Sequence, residues 1–252
     1  MDTQNPSVLS VSPLAFNARI GRPNPPLVLD VRRQPRFDES LRLLACAQRY
    51  APEDVAALAA SKAPCEVFVY CVYGHNVSEE AVTVLQAAGW NAHRVAGGIE
   101  GGQSGEDDPQ VMAQWHAQPP LSFAKRADWG VTGEQPSRWI TRERPKIDRI
   151  ACPWLIRRFI DTRAEFFYVP TSQVLAQAKA LGAVAYDIPG AALGLLAFSL
   201  GLSRLHAQDD HAMLEAAMPL YDALYAWCRD RVAAQDEPHN WKPETMVAGA
   251  PA

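Results

Sequence analysis

Val67-Phe68-Val69-Tyr70-Cys71-Val72-Tyr73-Gly74-His75-Asn76-Val77-Ser78-Glu79-Glu80 decides how the first half of this chain folds. A β-branched and aromatic run ends on Cys71, a short loop with one Gly follows, and a helix begins. That order is a buried strand feeding a helix. The loop's backbone N–H groups and the helix N-terminus both aim positive charge at the Cys71 sulfur, which favours the thiolate, the nucleophilic form. Such a cysteine is a candidate nucleophile that needs no catalytic histidine. Free cysteines in other settings are usually buried and inert.

The segments on either side repeat the pattern. Leu27-Val28-Leu29-Asp30-Val31-Arg32 reads as a buried strand introduced by Pro23-Asn24-Pro25-Pro26. A helix opens at Pro52 with acids in its first turn. The helix after Cys71 runs over about 78–88 and closes at Gly89, and a short strand follows over 92–95. Strands alternating with helices predict an α/β fold, a parallel sheet flanked by helices. In such sheets sites form where strand C-termini meet helix N-termini, which is where Cys71 lies. The first domain is read as 1–105, a linker as 106–135, a second α+β domain with a helical C-terminal part as 136–235, and a loose tail as 236–252.

Composition limits the functions open to the chain. It has 252 residues, 48% hydrophobic, so it can bury a real core. The net charge of −4 does not favour non-specific nucleic-acid binding. The five cysteines, at 46, 65, 71, 152 and 228, have no paired spacing, as expected of reduced thiols in a cytoplasm. No signal peptide or membrane span is read, and the cytoplasm is the expected location.

Leu29-Asp30-Val31-Arg32, the loop from Cys71 to Ser78, and Gly97-Gly98-Ile99-Glu100-Gly101 together resemble a rhodanese domain, in that order and over roughly 10–105. The resemblance implies a sulfurtransferase. The Cys71 thiolate takes a sulfane sulfur from a donor such as thiosulfate, becomes a persulfide, and passes the sulfur to a thiol or to cyanide. It also implies that Val72, Tyr73, Gly74, His75 and Asn76 cradle the transferred group, with Asp30 and Arg32 as structural support. No cofactor is expected. The loop carries no Arg, where many rhodaneses place a cation, and His75 supplies charge only when protonated. Cysteine phosphatases of related architecture need an Arg six positions after the nucleophile; Val77 stands there, which argues against phosphate-ester hydrolysis.

The second half holds a dense block, Lys146-Ile147-Asp148-Arg149-Ile150-Ala151-Cys152-Pro153-Trp154-Leu155-Ile156-Arg157-Arg158. Read from its residues, it is either a basic helix terminus able to hold an oxyanion or an amphipathic helix with solvated Arg side chains. Together with Glu165 to Pro170 and Tyr186-Asp187-Ile188-Pro189-Gly190, the block resembles the C-terminal domain of ChrB-type chromate resistance proteins, over roughly 136–230. A rhodanese domain ahead of such a domain is a known arrangement.

Asp148, Arg149, Cys152, Arg157 and Arg158 are the candidate oxyanion residues, with chromate or sulfate as ligand. His206, Asp209, Asp210 and His211 are weak candidates for a metal, because Asp209 or Asp210 equally makes an ordinary N-cap. Besides sulfur transfer, two other functions stay open: a non-enzymatic chromate- or sulfate-responsive regulator, and a redox sensor using Cys71 or Cys152. The acidic composition and the lack of a helix-turn-helix signature argue against direct DNA binding. The oligomeric state is not legible.

Overall fold

A computed structural model describes residues 9–145, 148–186 and 201–233. The first half is built on a five-stranded, wholly parallel sheet. In chain order its strands are β1 (Ser10–Val11), β2 (Leu27–Asp30), β4 (Ala47–Arg49), β5 (Glu66–Tyr70) and β6 (Asn91–Val95), and across the sheet they run β1-β6-β5-β2-β4. Helices α1 (Pro13–Arg19), α2 (Gln34–Glu39), α3 (Val55–Ser61) and α4 (Asn76–Ala87) connect them.

The central strand β5 shows why the sheet is covered on both faces. Side chains alternate along a strand. Phe68 and Tyr70 enter one core with Phe16, Ile20, Phe37 and Ile99. Val67, Val69 and Cys71 enter the other with Val55, Leu58, Val82, Leu85 and Trp90. A strand apolar on both rows is stable only in a sheet layered between other elements, which the parallel crossovers supply.

The stretch 106–135, expected as a linker, is packed instead. Helix α5 (Pro109–Ala117) starts where the Asp108 carboxylate accepts the Gln110 N–H at 2.7 Å and Pro109 takes the first helical position. The helix buries Trp115 against the Gly97 and Gly101 backbone. Strand β7 (Ser122–Ala124) then pairs antiparallel with β3 (Arg42–Leu44). This segment therefore closes over the first unit.

The second half has a parallel three-stranded sheet, order β10-β8-β9, from β8 (Arg138–Arg142), β9 (Glu165–Val169) and β10 (Val184–Ala185). Helices α6 (Asp148–Leu155), α7 (Val174–Leu181) and α8 (Asp210–Ala233) accompany it, and α6 packs on α8. Pro153 inside α6 has no N–H for the Arg149 carbonyl; the Tyr186 hydroxyl donates to that oxygen at 3.4 Å. The helix then widens into a π turn over Ile156–Ile160. Within the C-terminal part expected to be helical, residues 201–205 are helical. Residues 187–200, including the Asp187 to Gly190 turn, and the tail from 234 lie outside the described residues.

The two units meet through their backbones. The Cys46 N–H donates to the Phe159 carbonyl at 3.2 Å, and its thiol lies 3.3 Å from the Arg158 carbonyl. Burial, reinforced by the nearby Asp161 carboxylate, pushes the Cys46 thiol up to about 12, so this cysteine is inert. No helix among the described residues is long and apolar enough to cross a membrane.

Candidate functional site

β2 and β5 are neighbours in register, with Asp30 opposite Tyr70. The chain leaving β2 (Val31, Arg32, Arg33) therefore stands beside the chain leaving β5 (Cys71). Between them lies a cavity of about 280 Å³ lined by Cys71, Val72, Tyr73, His75, Asn76 and Val77 from one loop, Arg32, Arg33 and Arg36 from the other, and Gln103 and Glu106. This is the crevice at the carboxyl ends of the strands where α/β sheets bind ligands.

Cys71 is 6% exposed. The Gly74 N–H donates to its sulfur at 3.3 Å, and the Ser78 Oγ lies 3.3 Å from it, within the first turn of α4. The thiol can donate to the His75 carbonyl at 3.5 Å. Ser78 is fully buried, and its hydroxyl donates to that same carbonyl at 2.9 Å. When the sulfur is a thiolate, this hydroxyl can turn and donate to it instead. Ser78 was not among the residues singled out from sequence; the signal available was a hydroxyl one turn into a helix that follows a cysteine.

Ser78→Ala removes one hydrogen bond to a charged sulfur. Alkylation of Cys71 by iodoacetamide is expected to slow by about tenfold, with circular dichroism unchanged. An unaltered rate would remove Ser78 from the site.

The loop is held from behind by the turn after β6. The Ile99 N–H donates to the Cys71 and Val72 carbonyls at 3.2 and 3.0 Å, the Glu100 N–H to Val72 at 3.0 Å, and Arg94 Nη1 to the Gly74 carbonyl at 2.7 Å. Gly74 (φ +84°) and Gly98 (φ +57°) let the two backbones touch.

From the front, His75 Nε2 meets the Asp107 carboxylate at 2.7 Å, and Glu106 lies 3.5 Å from Nδ1. Partial burial works against the Asp107 charge, yet the Gln103 N–H and the His75 ring hold its carboxyl below the usual range. Asp107 thus straps the 103–107 segment across the loop.

Asp30 and Arg32 lie beneath the cavity. Both are buried, and they form a bidentate pair with Arg32 Nη2 at 2.6 Å from Asp30 Oδ2. The Tyr70 hydroxyl donates to the same carboxylate at 2.7 Å, and Arg32 also reaches the Arg42 carbonyl at 3.0 Å. The pair stitches three chain segments together, in keeping with a supporting role.

The candidate second-domain arginines whose partners are described are taken up by carboxylates of α8. Arg158 is bound bidentately by Asp222, at 2.6 Å to each oxygen, and Arg157 pairs with Glu215. The expected Arg surface is therefore neutralised by carboxylates of α8. Asp222, which also accepts from Trp154 Nε1 at 2.8 Å, was not foreseen. Arg149 gives its carbonyl to Tyr186, Cys152 is half-buried and not in a disulfide, and the Asp148 side chain lies outside the described residues. A separate cavity of about 380 Å³ at the ends of β8 and β10 is lined by Arg142, Thr171, Val174, Ala185 and Tyr186, and by none of these candidates.

Nor do the metal candidates form a ligand set. Asp209 caps α8 by accepting from the His211 and Ala212 N–H groups at 3.0 and 2.9 Å. Asp210 accepts the Arg144 N–H, and His211 stacks edge-on against Tyr168. The His206 backbone N–H donates to the Leu202 carbonyl at 2.9 Å. Among the described residues no three His, Cys, Asp or Glu side chains gather as a metal site.

Comparison with known proteins finds matches to parts of the chain. Residues 139–194 match the family model described as ChrB, C-terminal domain. The protein ChrB of Cupriavidus metallidurans is 32% identical over 135 residues, 42% of this chain and 40% of that protein, so the match spans well under half its length. Among solved structures, a rhodanese-like domain protein from Staphylococcus aureus is 19% identical, covering 38% of this chain and 94% of its own, with a TM-score of 0.32. A rhodanese-related protein from Thermoplasma volcanium is 21% identical, covering 46% and 97%, with a TM-score of 0.34. A rhodanese homologue from Thermus thermophilus is 24% identical, covering 36% and 98%, with a TM-score of 0.30.

Proposed function

We propose that this protein is a sulfurtransferase that carries sulfane sulfur as a Cys71 persulfide, in a chain whose second half serves chromate resistance. One observation carries the reading. Cys71 lies at the cavity with the Gly74 N–H and the Ser78 hydroxyl both 3.3 Å from its sulfur. Both groups can donate to an anionic sulfur there, the attacking thiolate and, after transfer, the persulfide. The partners are a small sulfane donor and a thiol or cyanide acceptor, in the reducing cytoplasm. The pairing of Arg157 and Arg158 with Glu215 and Asp222 speaks against the alternative of an oxyanion sensor on that surface.

The test is intact-mass analysis after incubation with a sulfane donor. A gain of about 32 Da, one sulfur atom, is expected on the peptide holding Cys71 and absent in Cys71→Ser. A gain on Cys65 or Cys152 alone, or none at all, would reject the reading.

A further inference from the structure

The Cys71 loop has no Arg, yet three arginines line its cavity, Arg32 and Arg33 from the connection between β2 and α2 and Arg36 from α2 itself. The register explains this: Asp30 stands opposite Tyr70, so the residues that follow each strand rise side by side. The three are not equivalent. Arg32 is consumed by Asp30 at 2.6 Å, and Arg36 is tied to Glu39 at 3.2 Å. Arg33 is exposed and lines the cavity; its carbonyl accepts the Phe37 N–H, while among the described residues its side chain makes no hydrogen bond or ion pair. The acid on the far wall, Glu106, lies 3.5 Å from the His75 ring. Of the three arginines that line the cavity with Cys71, Arg33 is therefore the one whose charge is uncommitted.

We propose that Arg33 selects the sulfur donor: its guanidinium holds the oxygens of a sulfonate-type sulfane donor, thiosulfate being the simplest, with the outer sulfur turned toward Cys71. A planar guanidinium matches two such oxygens at once. This rests on the sulfurtransferase reading above. In the step, the Cys71 thiolate attacks the outer sulfur of thiosulfate. The new S–S bond forms as the old one breaks, and its electron pair leaves on sulfite. The cysteine sulfur is oxidised to the persulfide level, no proton moves, and three negative charges stand on each side. Holding the sulfonate oxygens also stabilises the sulfite that departs.

The experiment compares thiosulfate with inorganic disulfide (HSS⁻), a donor without sulfonate oxygens, in the full-length protein. Native, Arg33→Lys and Arg33→Glu proteins are followed by steady-state transfer to cyanide and by sulfur loading of Cys71. In Arg33→Glu the preference for thiosulfate over disulfide, as a ratio of kcat/KM values, is expected to fall by about tenfold or more, mainly through KM for thiosulfate. Inhibition by sulfite should weaken in parallel, and Arg33→Lys should recover part of both. Equal losses with both donors, or an unmoved preference, would overturn the role of Arg33 while leaving Cys71 chemistry intact. If neither donor loads the native protein, the sulfurtransferase reading falls and this inference with it.

Discussion

Asp30→Ala is expected to lower the stability of the protein by about 3–5 kcal/mol, the range for breaking one partner out of a buried ion pair. Arg32 is 1% exposed and cannot lose its proton in compensation. Without Asp30 its guanidinium keeps the Arg42 carbonyl as hydrogen-bond acceptor and the Phe37 and Tyr70 rings beside it, but no counter-charge, and the Tyr70 hydroxyl loses the acceptor it now reaches at 2.7 Å. Tyr70 cannot relieve the site by ionising, because burial, with the Asp30 charge beside it, holds its phenol well above the ordinary range. The measurement is a urea unfolding curve, with the midpoint lowered and the slope unchanged. Asp30→Asn keeps the volume but turns an amide N–H toward a cation, so it should lie between Ala and the native protein. A midpoint within experimental error of native for Asp30→Ala would mean that the pair contributes little.

That network was only half legible in the sequence. Asp30 and Arg32 sit two positions apart at a strand end, and a supporting role could be read from that spacing. Tyr70 joins them through the parallel register of β2 and β5, which no local pattern states. The same register brings Arg33 to Cys71, so a loop without an Arg in sequence still faces cations in space. The residues around Cys71 itself were readable because strand, loop and helix are contiguous, and their periodicity changes at the cysteine.

In the second half, sequence distance defeated the reading in the opposite direction. Arg157 and Arg158 look like a free basic surface until α8 supplies Glu215 and Asp222, 58 and 64 positions away. The stretch 106–135 misled for another reason. Its Gly and Pro residues mark a linker, yet the helix that starts at Asp108-Pro109 carries Trp115, which packs on the Gly97 and Gly101 backbone.

Gly98→Ala is expected to cost more at Cys71 than loss of the Arg33 charge, although residue 98 does not line the cavity. Gly98 has φ +57°, in the left-handed region that favours glycine. A Cβ there would stand 2.5 Å from the Val72 carbonyl oxygen, 2.6 Å from that of Cys71 and 2.7 Å from the Gly74 nitrogen. All three are backbone atoms of the loop that holds the sulfur, so no side chain can swing away to make room. The loop must move, and with it the Gly74 N–H that now points at Cys71 Sγ. A displacement on the order of 1 Å in a positioned nucleophile lowers rates by roughly a hundredfold. Sulfur loading of Cys71 is therefore expected to fall by about that factor.

Gly105→Ala is the control for backbone strain alone. Its φ is +88°, yet an added Cβ meets nothing within 4 Å. It should lose about 1–2 kcal/mol of stability and keep its reactivity. If both variants load sulfur at the native rate, the contact between the two glycine turns does not position the cysteine. If only Gly98→Ala fails while its unfolding midpoint stays close to that of Gly105→Ala, the defect lies in the placement of the Cys71 loop.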